Sequence, residues 1–403
     1  MFLNVVFYNF YQIAYNKNMK NLLKIKLLII IFIGLILLCN FKSVNIAFAS
    51  TSSEINLFID NVEYKITNNK RHEVKLTELQ HSQKDDYKLK VKQIIKMKDM
   101  GFCDEEILKY LYPYLYYNLL LTIENEELEP TNAKICVIPN TAKIKIENEK
   151  CGIKLRKNYI YNQILYNFCN NKQNIYCCKE EIEPLIKYED VKKYSTERSS
   201  FETDFSNSKI ERKHNIRTAL NSLDGITIYP NEEFSFNKTV GERNDENGYM
   251  QAKIISNGKF IDAFGGGVCQ VSTTLYNAAL IAGLDIVEVH SHSLKIGYIE
   301  PGFDAMVNSG SSDLRIRNNT GFPITIATSS KDDKCKISLY GVNNNFKYDR
   351  VYEFEKVETD ESCKGKVIQY PSISKTKLLI YCDNKLIEER FLREVKYKPL
   401  IEG

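Results

Sequence analysis

The sequence predicts an α+β protein. Its main element is a mixed, catalytic-type domain with a cysteine at a helix N-terminus packed on antiparallel strands. Smaller α+β modules precede that domain and a β-rich tail follows it. Three observations carry this prediction. Apolar residues recur at helical spacing through "KLKVKQIIKMKDMGFCDEEILKYLYPYLYYNLLLTIENEE". Strict alternation marks Lys143-Ile144-Lys145-Ile146 as a strand. The apolar run "VSTTLYNAALIAGL" is helix-like, stops at Gly283, and is followed by short alternating stretches separated by turn residues.

Taken in order, Lys20, Lys24 and Lys26 precede the apolar run Leu27 to Cys39, and Ala47-Phe48-Ala49 follows. A basic segment, a short apolar core and a small-residue site describe a signal peptide over residues 1–49. The run is shorter than the ~20 residues a spanning helix needs. Val44 to Ala49 turns apolar again, so an uncleaved membrane anchor stays open, and Met19 serves as a start as well as Met1. Leu38 is too large beside Cys39 for lipid-type processing. The expectation is export, to the cell wall or the outer face of the cytoplasmic membrane.

Five of the 55 basic residues and none of the 51 acidic ones lie in residues 1–49, so their removal takes the formal charge from +4 to −1. That balance argues against nucleic acid as a partner, which needs a strong basic patch. Cys39 would leave with the signal, so ten of the 11 cysteines would remain. Outside the cell they have the chance to pair, for instance Cys136 with Cys151 or Cys363 with Cys382. No CxxC occurs, and the irregular spacing defines neither a disulfide framework nor a zinc cluster.

Residues 50–128 are charged and helix-leaning, broken near Gly101 and Pro113. "PTNAKICVIPNTAKIKIENEKCGIKL" reads as short strands and "RKNYIYNQILYNFCNN" as a helix. "KYSTERSSFETDFSNS" is polar enough for a linker or surface loop. "ERKHNIRTALNSLDG" reads as an amphipathic helix and "ITIYPNEEFSFNKTVGER" as strand, turn and strand. "DIVEVHSHSLKIGYI", "FDAMVN", "DLRIRNNTG" and "PITIAT" alternate like strands. "KLLIYCDNKLIEERFLREVKY" is a hairpin turning at Asp383-Asn384.

The chemistry concentrates in "AFGGGVCQVSTTLYNAALIAGLDIVEVHSHS", Ala263 to Ser293. A thiol at a helix start sits beside unpaired N–H groups and the positive end of the dipole, both of which favour thiolate. Gly265, Gly266 and Gly267 permit close approach and unusual dihedrals. Backbone N–H groups there, with Gln270 and Ser272 near the thiol, are candidates to hold an oxyanion or substrate. His290 and His292 are the candidate bases, and strand alternation puts both on one face. Asp304 is the leading candidate to orient the imidazole and Asp313 the second. Arg315, with Arg317, is a candidate partner for a substrate carboxylate, against the plainer reading of a solvated strand face. Leu275 and Tyr276 read as core, and Asp313 and Asn318 as turn-formers.

Cys269 as a small buried hydrophobe is the competing reading. A zinc site built from Cys269, His290 and His292 lacks an obvious fourth ligand, so no metal or cofactor is expected. The order cysteine, histidine, aspartate is similar to the transglutaminase and papain-like arrangement, in which acyl groups pass through a thioester. That likeness is one of order alone.

"NIRTALNSLDGITIYPNEEFSFNKTVGER", "GGGVCQVSTTLYNAALIAGLDIVEVHSHS", "PGFDAMV", "DLRIRNNTGFPITI" and "SLYG" together resemble the VanW-type domain, over roughly residues 208–342. "PTNAKICV" and "SSFETDF" resemble a peptidoglycan-binding-type module that often precedes such domains, and the C-terminal residues resemble the β-rich tail that follows them. The resemblance implies domains at 50–205 (peptidoglycan binding), 206–342 (VanW-type) and 343–403 (tail). It implies a cell-wall role in a Gram-positive bacterium, with peptidoglycan stem peptides as partners. It also implies, as for some members, an L,D-transpeptidase that forms 3-3 cross-links through a cysteine nucleophile, here Cys269. The family pattern Glu-Arg-His-Pro-His-Ser reads Glu288-Val289-His290-Ser291-His292-Ser293, which puts any role of the family arginine in doubt. The usual L,D-transpeptidase signature, Ser-x-Gly-Cys after His-Gly, is absent. Two alternatives remain: a cysteine carboxypeptidase or endopeptidase on stem peptides, and a non-catalytic wall-binding or glycopeptide-resistance accessory protein.

Overall fold

The structure, a computed structural model, describes residues 54–67, 83–170, 172–256, 259–343, 345–357 and 367–401. Among them, eight α-helices and 21 mostly antiparallel strands form an α+β architecture in two compact units. One unit comprises Met1–Thr122 with Lys157–Cys177, the other Ile123–Arg156 with Cys178–Gly403. The expected signal segment, Cys39, His72, His81 and Cys363 lie outside the described residues. Among the described residues no helix is long and apolar enough to cross a membrane.

The first unit pairs helices with a three-stranded sheet. Glu54–Ile59 and Val62–Thr67 form a hairpin, and Asn174–Cys177 adds to the first strand in parallel. The charged, helix-leaning reading of residues 50–128 missed this hairpin. Its signal is the alternation that buries Ile55, Leu57 and Ile59, with Asp60 in the left-handed region at φ 52° in the turn. The expected helices form at Gln83–Asp99, Asp104–Leu111, Pro113–Glu126 and Lys157–Cys169. Pro113 opens its helix, where its missing N–H costs nothing. Ile107, Leu108, Leu115, Leu119, Ile160 and Ile164 fill the core beneath them.

The second unit is organised around the helix Val268–Ala282, of whose 15 residues 13 are buried. It contacts Thr196–Asp204 and Lys334–Gly341, two strands of a four-stranded antiparallel sheet completed by Ile324–Ser329 and Thr227–Ile228. It also meets the helix Ile210–Leu223, and the strand Phe346–Lys356 of a C-terminal three-stranded sheet. Burial of Leu275 and Leu280 contributes about 1.5–3 kcal/mol each. Apolar packing also encloses the polar side chains of this helix, which are satisfied by the chain around them. Ser199 donates to the Ala278 carbonyl at 2.8 Å, and Thr203 and Thr274 share a hydrogen bond of 2.9 Å.

Those two contacts correct the reading of "KYSTERSSFETDFSNS". Thr196–Asp204 is an edge strand of the central sheet, paired along Lys334–Gly341, not a linker. It looks polar because its inward residues are small hydroxyls that dock on a helix with polar positions of its own. The expected boundary at 205/206 therefore falls inside the second unit, as does that at 342/343. A second correction concerns "DIVEVHSHSLKIGYI". Only Asp285–Glu288 is a strand, and beyond it His290 makes a single bridge to Met306. The Glu288 carboxylate takes the His290 ring nitrogen and the Asp313 N–H, where pairing with Arg315–Arg317 ends. The hairpin of Ser372–Cys382 and Lys385–Tyr397 turns at Asp383 and Asn384, both with positive φ, as its sequence predicts. Cys136 and Cys151 stand unpaired, with the Cys136 side chain against Glu147.

Candidate active site

The three glycines seat a loop against backbone that leaves no room for side chains. A Cβ on Gly266 would lie 2.8 Å from the carbonyl of Ala252. Gly267 caps the helix at φ 110°, a conformation open to glycine, and a Cβ there would meet Arg212 at 2.9 Å. Buried Asn215 pins the loop from the helix Ile210–Leu223. Its amide donates to the carbonyls of Gly266 and Met250 at 3.0 and 2.9 Å, and its oxygen accepts from the Met250 N–H. The result places Cys269 at the second position of the helix. Val268 and Gln270 N–H groups bond the carbonyls of Gly265 and Gly267. The Cys269 N–H has no partner among the described residues.

The segment carrying Asp304 is fastened to the same helix by its polar side chains. Asn277 donates to the Phe303 carbonyl at 2.8 Å and Ser272 to the Ala305 carbonyl at 2.6 Å, while the Ala305 N–H donates to Thr273 at 2.9 Å. Asp304 is fully buried. One of its oxygens accepts from both the backbone N–H and the ring Nδ1 of His292, at 2.6 and 2.7 Å. With Nδ1 so engaged, Nε2 is the ring nitrogen left for the thiol, and the imidazole and the sulfur act on each other's ionisation. The sulfur also lies 3.4 Å from the carbonyl of Val307. Cys269, His292 and Asp304 thus form one row.

Electrostatics in the row favour charge separation. Burial alone pushes the Cys269 thiol up, but the hydrogen bond and charge of His292, with Arg243, bring it below its ordinary value. Burial alone would lower His292, yet Asp304 and Cys269 outweigh it and push the imidazole up to about 9. Burial works to raise Asp304, and the bonds and charge of His292 hold it below the usual carboxylate range. These three directions describe a thiolate–imidazolium pair backed by a carboxylate.

Two arginines flank the glycine loop. Arg212 bonds Ser208 and Gln270 at 2.6 and 2.8 Å and lies 5.9 Å from the ring centre of Tyr298. Arg243 bonds Asn237 and Ser309 at 2.5 and 3.2 Å. Neither pairs with a carboxylate among the described residues. Tyr298 stands beside the thiol as well, its hydroxyl pushed well up by burial and by the charge of Cys269.

The other expected residues are occupied elsewhere. Gln270 is buried and spends its amide on Thr203 (3.0 Å) and the Asp204 carbonyl (2.9 Å), so it has no donor left for an oxyanion. One helical step turns it about 100° away from Cys269. Ser272 is used on Ala305 and on the Cys269 carbonyl. His290 bonds Glu288 at 2.8 Å, so the two histidines do not share a face. Arg315 and Arg317 both pair with Glu233, and Asp313 caps the turn at Ser235 and Asn237. Among the described residues no cluster of His, Cys, Asp or Glu suits a metal ion. Sequence reasoning passed over Asn215, Arg212, Arg243, Tyr298, Arg393 and Tyr397. Asn215 and Arg243 stand at the two ends of the motif "NIRTALNSLDGITIYPNEEFSFNKTVGER", and that placement is the hint the sequence offered for them.

Comparison with known proteins places relatives over this part of the chain. Residues 211–340 match the family profile described as VanW like protein. The chain is 39% identical over 160 residues to "Uncharacterized protein YoaR" of Bacillus subtilis, covering 40% of this chain and 53% of that protein. It is 28% identical over 230 residues to "Vancomycin B-type resistance protein VanW" of Enterococcus faecalis, covering 52% of this chain and 81% of that one. It therefore spans about half the length of the first of these relatives. No solved structure gives a significant match.

Proposed function

We propose that the protein acts outside the cytoplasmic membrane on the cell wall, as a cysteine-dependent acyltransferase of the L,D-transpeptidase type. The observation that carries this reading is the row Cys269–His292–Asp304, with the thiol lowered and the imidazole raised to about 9. Likeness to a vancomycin-resistance protein supports the cell wall as the setting.

In this mechanism the Cys269 thiolate attacks the carbonyl of the third residue of a donor stem peptide. The oxyanion faces the N–H of Cys269 at the helix start, which has no partner among the described residues. The C–N bond to the terminal D-residue breaks, and His292 gives its proton to the departing amine. The thioester is then attacked by an amine of a neighbouring stem, whose proton returns through His292, and the thiol is released. Asp304 keeps the imidazole in one orientation throughout. Arg243, which pairs with no carboxylate among the described residues, favours a donor that ends in a free carboxylate.

The test is incubation of the purified protein and Cys269→Ala with a synthetic tetrapeptide stem and an amine acceptor, with products read by mass spectrometry. Acyl transfer lost in the variant supports the proposal. Release of the tripeptide acid alone would make the protein a peptidase. No product from either, with an inert thiol, would leave a non-catalytic wall-binding or resistance accessory protein.

A further inference from the structure

The family match ends at residue 340, yet the most buried member of the row is completed by residues beyond it. The second oxygen of Asp304 faces the C-terminal sheet, not the residues of that match. Tyr397 bonds it through its hydroxyl at 3.0 Å, and the Arg393 guanidinium lies 3.7 Å away. The direction of the tyrosine bond follows from its other partner. The Gly302 N–H donates to the phenol oxygen at 2.7 Å, so the phenol O–H is the group that donates to Asp304. Arg393 holds the same turn, with bonds to the Gly302 carbonyl at 3.0 and 2.8 Å and a further bond to the Asp304 carbonyl.

The sheet is seated closely enough to make these contacts specific. Gly302 has φ 86°, and a Cβ there would lie 2.5 Å from Thr376 and 2.9 Å from Ser374. The Lys398 N–H donates to the carbonyl of Ser293, next to His292, at 2.7 Å. Arg350 of the same sheet lies between the rings of Phe201 and Phe303, 4.4 and 4.7 Å from their centres, and bonds Asn277. Asn277 in turn holds Phe303, the neighbour of Asp304.

We infer that the C-terminal sheet is part of the reactive site, with Tyr397 and Arg393 as positioning residues that keep Asp304 ionised and aimed at His292. The inference rests on the reading of Cys269–His292–Asp304 as a working row. A carboxylate with no exposed surface has no water to solvate it, and its charge persists only where donors replace that water. His292 supplies two donors to one oxygen, and the C-terminal sheet supplies those of the other. The phenol bond also withdraws some charge from the carboxylate, but in a dry site holding the ionised form is the larger effect. The remaining charged and titratable groups near the row are Tyr276 from the buried helix, Tyr298 after His292, and Arg212 and Arg243 at the thiol end.

The experiment follows iodoacetamide alkylation of Cys269 against pH by peptide mass spectrometry. It uses the full chain and its Tyr397→Phe, Arg393→Gln and Arg393→Lys variants, with Asp304→Asn as the reference for loss of the row. Circular dichroism and thermal melting report folding. The expected result is an acid limb moved to higher pH in Tyr397→Phe and Arg393→Gln. Alkylation below neutral pH should slow about three- to tenfold, with Arg393→Lys nearer the wild type. A merely structural role would lower the melting temperature and leave the limb in place. Superimposed profiles for wild type, Tyr397→Phe and Arg393→Gln, with Asp304→Asn displaced, would overturn the inference and spare the row. An undisplaced Asp304→Asn profile would remove the row itself and the inference with it.

Discussion

Asp304→Asn is the substitution that separates geometry from charge. The amide nearly matches the carboxylate in shape, so packing against Phe303 and Ala305 is retained. The carboxylate accepts three hydrogen bonds, two from His292 on one oxygen and one from Tyr397 on the other. An amide has one accepting oxygen, so its NH2 must face either His292 or the tyrosine. A hydrogen bond to a charged group is worth about 1.5–3 kcal/mol, and one pKa unit corresponds to about 1.4 kcal/mol. The imidazolium should therefore lose about one to two units of its elevation, and the thiol it stabilises should rise by a comparable amount. At pH 6 the alkylation rate of Cys269 is expected to fall about 10- to 100-fold, recovering as pH rises. Stability carries the same signature. The His292 contribution is complete below 6.5, the ordinary value, and is lost as pH rises through about 9. The Asp304 contribution runs the other way, lost in acid as pH falls through its depressed value. The lowered Cys269 thiol adds stability over the same range in which the raised His292 loses it, so the pair should keep the wild-type melting temperature nearly level between 6.5 and about 9, and the acid loss carried by Asp304 should disappear in Asp304→Asn. An alkylation profile and a melting profile unchanged by the substitution would refute the reasoning.

Three further outcomes are expected. Arg243→Gln should raise the apparent pKa of Cys269 and weaken discrimination between a donor ending in a free carboxylate and its C-terminal amide, as measured by relative kcat/KM. His290→Ala should leave the alkylation rate within about twofold of wild type, because its ring is turned to Glu288. Gly266→Ala should destabilise the second unit by about 1–3 kcal/mol in chemical denaturation, since its Cβ would press on the Ala252 backbone, which has no flexible end to give way.

Much of this arrangement could be read in the residues, but unevenly. The helix after the glycines, its stop at Gly283 and the Asp383-Asn384 hairpin follow from local rules, because capping and turn chemistry act within a few residues. The order of the chain also brought forward Cys269, the two histidines His290 and His292, and Asp304, although which of them meet depends on tertiary contacts. Alternation could not choose between His290 and His292, since the strand ends at Glu288 before either is reached. Gln270 was misread because adjacency in sequence is not adjacency on a helix surface. The strand Thr196–Asp204 hid behind inward-facing hydroxyls. Tyr397 and Arg393 lie 93 and 89 residues from Asp304, in a hairpin whose pattern says how it pairs but not what it packs on.

The central claim is that Cys269 carries an acyl group between stem peptides. The most direct measurement is intact-mass and peptide-mapping analysis of protein quenched in acid within seconds of mixing with a tetrapeptide donor and no acceptor. The account predicts a mass increase equal to the tripeptide acyl group, mapped to Cys269 and discharged when an amine is added. An unmodified Cys269 under these conditions, in protein that nevertheless turns the donor over, would contradict it.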